Sequence, residues 1–262
     1  MDADNDLLLS APQAERGWHF GWVLPILFRP RATMARIVEN THSASRTPLL
    51  LLVLAAVVHA VVAGSISAAA AAAGEVSLPQ GFEFYTPEQQ AQFMQAATAT
   101  NNATFNYVLP AAGAALGVIV LWLLIGGLLH LVLTLLGGRG TSRAALNVAA
   151  WSGIPLLLRY AIQIVAMLMT DTLVASPGLA GFAPAGEGFL NAFLAGILSH
   201  VDIFLIWQIV LLWIGVRLSS RLPRLKSLLA VLATMLIVLA LRALPAAILA
   251  QFGGLTIIQP FL

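Results

Sequence analysis

Five runs of the 262-residue sequence are long and apolar enough to cross a lipid bilayer, and the basic residues gather on alternate connections between them. A spanning helix needs about 20 mostly apolar residues, at ~1.5 Å of rise each across a ~30 Å hydrocarbon core. Pro48–Ala70, Ala111–Leu136, Val148–Thr170, Leu198–Leu218 and Leu225–Leu249 satisfy this. Apolar extensions from Leu109 and Phe189 leave the outer ends of the second and fourth runs open by several residues.

The charges test that count. Arg16, Arg29, Arg31, Arg36 and Arg46 precede the first run, and Arg139 and Arg143 lie between the second and third. Arg217, Arg221, Arg224 and Lys226 mark the turn from the fourth to the fifth. The other two connections and the C-terminal tail hold no Lys or Arg, and carry Glu75, Glu83, Glu88, Asp171 and Glu187 instead. Adding or removing one run scrambles the alternation. The positive-inside rule therefore predicts five spans, with the N-terminus cytoplasmic and the C-terminus outside. A cleaved signal peptide in place of the first span fits poorly, because the polar and basic preamble is far too long.

Composition agrees. Charged residues make up 9% of the chain and hydrophobic ones 60%, whereas a soluble domain carries about 25% charged residues. Most of the surface must face an apolar medium, so the fold class is an all-α integral membrane protein, a five-helix transmembrane bundle. The chain has no cysteine, which excludes disulfides, thiolate metal sites and cysteine catalysis.

Residues 1–16 read as a disordered acidic tail, 17–47 as a cytoplasmic interfacial segment, 48–250 as the transmembrane domain and 251–262 as an outer tail. In the segment 17–47, Trp18, Phe20, Trp22, Ile26, Leu27 and Phe28 precede arginines. Pro30 suits a first helical turn, and Met34, Ile37 and Val38 share a face opposite Arg36 and Glu39. Such an element either lies in the headgroup region or packs beneath the bundle. In the first outer connection, Thr86-Pro87-Glu88 predicts the start of a short helix. The third connection, rich in glycine and proline, reads as irregular loop.

FRPRATMARIVE before the first span, LLGGRGTSRAAL between spans two and three, and AWSGIPLLL opening span three resemble bacterial members of the Yip (Ypt-interacting protein) family. The resemblance covers roughly Gly17 to Ala250. It implies five spans, a cytoplasmic N-terminus and a membrane location. Eukaryotic members act in Golgi and endoplasmic-reticulum traffic and bind prenylated Rab GTPases. Their Asp-Leu-Tyr-Gly-Pro signature is absent here, so that role does not carry over.

Arg159 stands near the middle of the third span, ~16 Å from its inner end. An intramembrane charge is rare and faces the bundle interior or a wet cavity. Gln163 lies one turn on, and His59 and Gln208 fall at similar depth, which predicts a polar cluster of Arg159, Gln163, Gln208 and His59. The structural alternative bonds Arg159 to carbonyls freed by Pro155. Asp202 and Arg242 lie at comparable outer depths and are expected to form an ion pair. Arg29, Arg31, Arg36, Arg139 and Arg143 are candidate contacts to lipid headgroups. The GGRGTS turn lacks the spacing and lysine of a phosphate loop, and reads as a helix stop followed by a start capped by Thr141 or Ser142. The Gly113 and Gly117 pair is expected to pack inside the chain.

His59, His130 and His200 lie at three different depths, so no metal site is expected. No catalytic constellation or cofactor motif appears, and no enzyme is expected. The leading expectation is a non-enzymatic adaptor or organiser of a plasma-membrane assembly. Its partners are lipids, other membrane proteins or a cytoplasmic protein, and nucleic acid is not among them. The alternative is a small-molecule transporter or channel subunit with Arg159 lining the pathway.

Overall fold

The computed structural model describes residues 17–40, 44–74, 82–174, 177–184, 186 and 188–251. Its described residues form ten α-helices and no strand. In chain order these are α1 (Val23–Phe28), α2 (Pro30–Glu39), α3 (Arg46–Ala72), α4 (Pro87–Thr100), α5 (Leu109–Leu135), α6 (Ser142–Ser152), α7 (Pro155–Thr170), α8 (Phe189–Leu198), α9 (Ile203–Ser220) and α10 (Arg224–Gln251). The expected tail at 1–16 and almost all of the outer tail at 251–262 fall outside the described residues.

Five helical stretches are long and apolar enough to cross a bilayer: α3, Thr104–Leu135, Ser142–Thr170, α9 and α10. The protein is a multi-pass membrane protein. The second stretch begins with a π-helical turn, Thr104–Val108, that runs into α5. Asn106 in that turn pushes its carbonyl against Gly64 of α3, where no Cβ would fit.

Two spans differ from the sequence expectation. The third starts at Ser142, not Val148, and is two helices meeting at Gly153-Ile154. Pro155, at the first position of α7, has no N–H to continue α6, so the chain restarts there. The fourth starts at Ile203, not Leu198, and the apolar residues before it form the separate helix α8. Asp202 makes that break by capping α9, its Oδ1 accepting from the Leu205 N–H at 2.8 Å.

Helix α4 begins as its residues predict, with a capping box between Thr86 and Gln89. The turn before α6 is capped by Thr141, which accepts from the Ala144 N–H at 3.2 Å. It packs against the turn after α9, where the Arg139 N–H donates to the Ser220 carbonyl at 3.2 Å.

The main core joins α5, α6, α9 and α10 through residues such as Leu129, Val148, Leu212 and Val231. Close approach needs glycine at two crossings. A Cβ on Gly215 would strike Val148, and one on Gly126 would lie 2.6 Å from Leu146 Cδ2. The Gly113 and Gly117 pair does not pack inside the chain: nothing lies within 4 Å of where their Cβ atoms would be.

A second core seats α1 and α2 against the bundle. Ile26, Met34 and Ile37 are fully buried and pack with Trp151, Ile154 and Leu211. The linker into α3 is fastened to α6 at one residue. Ala44 accepts from Trp151 Nε1 at 2.9 Å, and its N–H donates to Asn147 Oδ1 at 3.1 Å. His19 is tied to Thr47 of α3 by its backbone N–H at 2.8 Å and stacks on Trp22, with centroids 4.0 Å apart. The segment 17–40 is thus a docked part of the fold. On its other side Trp18, Phe20, Leu24 and Phe28 stay exposed.

Candidate functional site

The intramembrane polar site forms where α7 faces the break between α8 and α9. Arg159 Nε lies 3.1 Å from Asp202 Oδ2, with only 16% and 15% of the two side chains accessible. Its Nη2 donates to the Ser199 carbonyl at 3.1 Å, just past the end of α8. One guanidinium therefore bridges the capping carboxylate of one helix and a free carbonyl at the negative end of another.

The geometry explains why the charge is needed. Helix α9 has 18 residues, about 27 Å of rise, slightly short of the ~30 Å hydrocarbon core. Asp202, at the start of that helix, therefore falls near the edge of the core, where its largely buried carboxylate gains from a counter-charge. The carbonyls around it are also engaged. Leu198 accepts from Leu179 N–H at 2.9 Å, and Gly178, at φ +59°, sits so close to the Ser199 and Val201 carbonyls that a side chain would lie 2.8 Å from each. His200 Nδ1 lies 2.8 Å from the Gly196 carbonyl.

Two sequence expectations need correction. Asp202 pairs with Arg159, not with Arg242. Arg242 is exposed on α10 and forms no ion pair among the described residues. The cluster of Arg159, Gln163, Gln208 and His59 does not form as a bonded set. Gln208 is buried six residues down α9 from Asp202, about 9 Å, and Gln163 is half-buried on α7. His59 approaches from α3 but packs on Tyr160, with ring centroids 5.5 Å apart. The carbonyl that Arg159 binds belongs to Ser199 and not to the turn before Pro155.

Arg29, Arg31, Arg36, Arg139 and Arg143 are all exposed. Of these, Arg31 lines a cavity of about 300 Å³ together with Trp213, Ile214, Arg217, Leu218 and Arg224. The sequence reading missed that grouping. Its one local signal is the i, i+4 spacing of Trp213 and Arg217, which puts both on one side of α9.

Comparisons with curated proteins and with solved structures give no match. The family model for the Yip1 domain matches residues 25–244. That stretch runs from α1 through both cores and the Arg159–Asp202 bridge and well into α10, and on this match the chain belongs to the Yip1 domain family.

Proposed function

We propose that this protein is a non-enzymatic organiser of a plasma-membrane assembly, with its arginine-rich end in the cytoplasm. The observation that carries the reading is the docked pair α1–α2. Ile26, Met34 and Ile37 fix it to the bundle, while Trp18, Phe20, Leu24 and Phe28 stay exposed beside Arg29, Arg31 and Arg36. A fixed surface of aromatic and basic groups suits anionic lipid and a protein partner together. Arg159 supports the same reading, because its Nε and one Nη2 hydrogen are engaged by Asp202 and Ser199 within the bundle.

The test combines two measurements. Photo-crosslinking from positions 20 and 36 in native membranes is expected to give discrete protein adducts. Proteoliposomes holding the purified protein are expected to show no protein-dependent flux of a panel of labelled ions and small metabolites. A flux that Arg159→Leu abolishes in a folded variant would replace the organiser with a transporter.

A further inference from the structure

The cavity between α2, α9 and the start of α10 carries an unusual set of donors. Trp213 Nε1 and Arg217 Nε are both buried, and neither has a hydrogen-bond partner among the described residues. Buried indole and guanidinium N–H groups are ordinarily paired, since an orphan donor forfeits its hydration without return. These two stand one helical turn apart on α9 and border the same cavity of about 300 Å³. Arg31 enters from the first turn of α2 and Arg224 from the first residue of α10. No carboxylate pairs with Arg31, Arg217 or Arg224 among the described residues.

A water molecule satisfies one donor but carries no charge to balance the three arginines that line the cavity. A phosphate does both, because guanidinium forks match its oxygens and an indole N–H adds a neutral donor. The remaining walls are apolar. Trp213, Ile214 and Leu218 line the cavity, and Leu218 is exposed on the outside of the bundle. A ligand that fits must offer an anionic phosphate to one side and hydrocarbon to the other.

We infer that this cavity binds the phosphate of an anionic phospholipid, held by Arg31, Arg217 and Arg224 and by the indole N–H of Trp213. The inference rests on the arginine-rich end lying at the membrane surface, the placement used for the organiser reading. A bound headgroup bridges α2 to the α9–α10 turn, joining the exposed platform to the bundle.

The test uses the full-length protein, delipidated in detergent, and native mass spectrometry with four probes: dioleoyl phosphatidic acid, dioleoyl phosphatidylcholine, glycerol 3-phosphate and inorganic phosphate. Phosphatidic acid is expected to stay bound at least about tenfold better than phosphatidylcholine, as for a ligand gaining charge-assisted bonds. Arg217→Gln is expected to weaken it about tenfold, and Trp213→Phe, which keeps the ring and removes the N–H, roughly threefold. Arg46→Gln removes a charge outside the cavity and is expected to change nothing. Melting curves identify variants that fail to fold, and the conservative Trp213→Phe keeps the test decisive if Arg217→Gln is one of them. Phosphatidic acid binding unmoved by both cavity variants overturns the site. Binding of inorganic phosphate as tight as that of phosphatidic acid overturns the lipid and makes the ligand a free anion. Neither outcome depends on crosslinking or flux, so failure here is distinct from failure of the organiser reading.

Discussion

Arg159 and Asp202 meet at 3.1 Å although one sits midway along a span and the other caps the next. The pair joins α7 to the start of α9, and its second bond to Ser199 also takes in the end of α8. Three helices share one guanidinium.

That relationship predicts strong coupling. Arg159→Met leaves a carboxylate without its counter-charge in a largely water-free site, and the expected cost is about 3 kcal/mol, the low end for a buried pair. Asp202→Asn keeps a capping oxygen for α9 but strands the guanidinium, at similar cost. The double variant is expected to recover on the order of 1–3 kcal/mol relative to the sum. Steric-trapping or denaturant unfolding in micelles measures all three. Strictly additive losses would show that the pair does not act as a unit.

The crossing of α6 and α9 gives a second prediction. Gly215→Ala drives a methyl into Val148, with an expected loss of roughly 1–3 kcal/mol. Val148→Ala in the same chain makes room and is expected to restore part of it. Gly113→Ala, where an added Cβ meets nothing within 4 Å, is expected to leave the melting temperature unchanged or slightly raised. Equal effects at Gly113 and Gly215 would contradict the packing described for both.

A third concerns the fastening of the N-terminal segment. Trp151→Phe removes the N–H that reaches Ala44, and Asn147→Ala removes the acceptor for the Ala44 N–H. Each buried bond is expected to be worth about 1–3 kcal/mol once a partner is left unpaired. The visible sign is limited proteolysis, with faster cleavage between α2 and α3 and an intact transmembrane core.

A fourth bears on the exposed aromatics. In Trp18→Cys, whose new cysteine is the only one in the chain, nitroxide-labelled lipid is expected to quench a fluorophore attached at that position in the reconstituted protein. Phe20→Ser with Phe28→Ser is expected to weaken that quenching, because both rings are exposed beside Trp18 or at the end of α1. Absence of quenching in the parent protein would place the platform away from the lipid.

The five spans were legible because hydropathy and charge alternation are properties of whole segments, which local geometry barely disturbs. The breaks within spans three and four were harder to see. From Phe189 to Leu218 the residues are apolar almost throughout, and the stop after Leu198 depends on one side chain, that of Asp202, turning back to cap α9. Depth along a helix can be counted, so Arg159 was readable as a deep charge. Its partner was not, because facing direction around the axis is set by packing. Counting put Asp202 level with Arg242, whereas the short α9 brings it to Arg159. The grouping of Arg31, Arg217 and Arg224 was hidden for a related reason: charge alternation assigns residues to one end of the bundle but not to one cavity.

The bridge at Arg159 also sets an order of events during biosynthesis. The third span leaves the ribosome before Asp202 and Ser199 have emerged from it, so its arginine reaches the translocon with neither of its final partners. A lone central arginine opposes insertion by about 2.5–3.5 kcal/mol on the translocon scale. A nascent chain ending at Thr170 is therefore expected to commit its third span poorly, and one continued through Ser220 to commit it well. The fourth span is thus expected to complete the membrane insertion of the third.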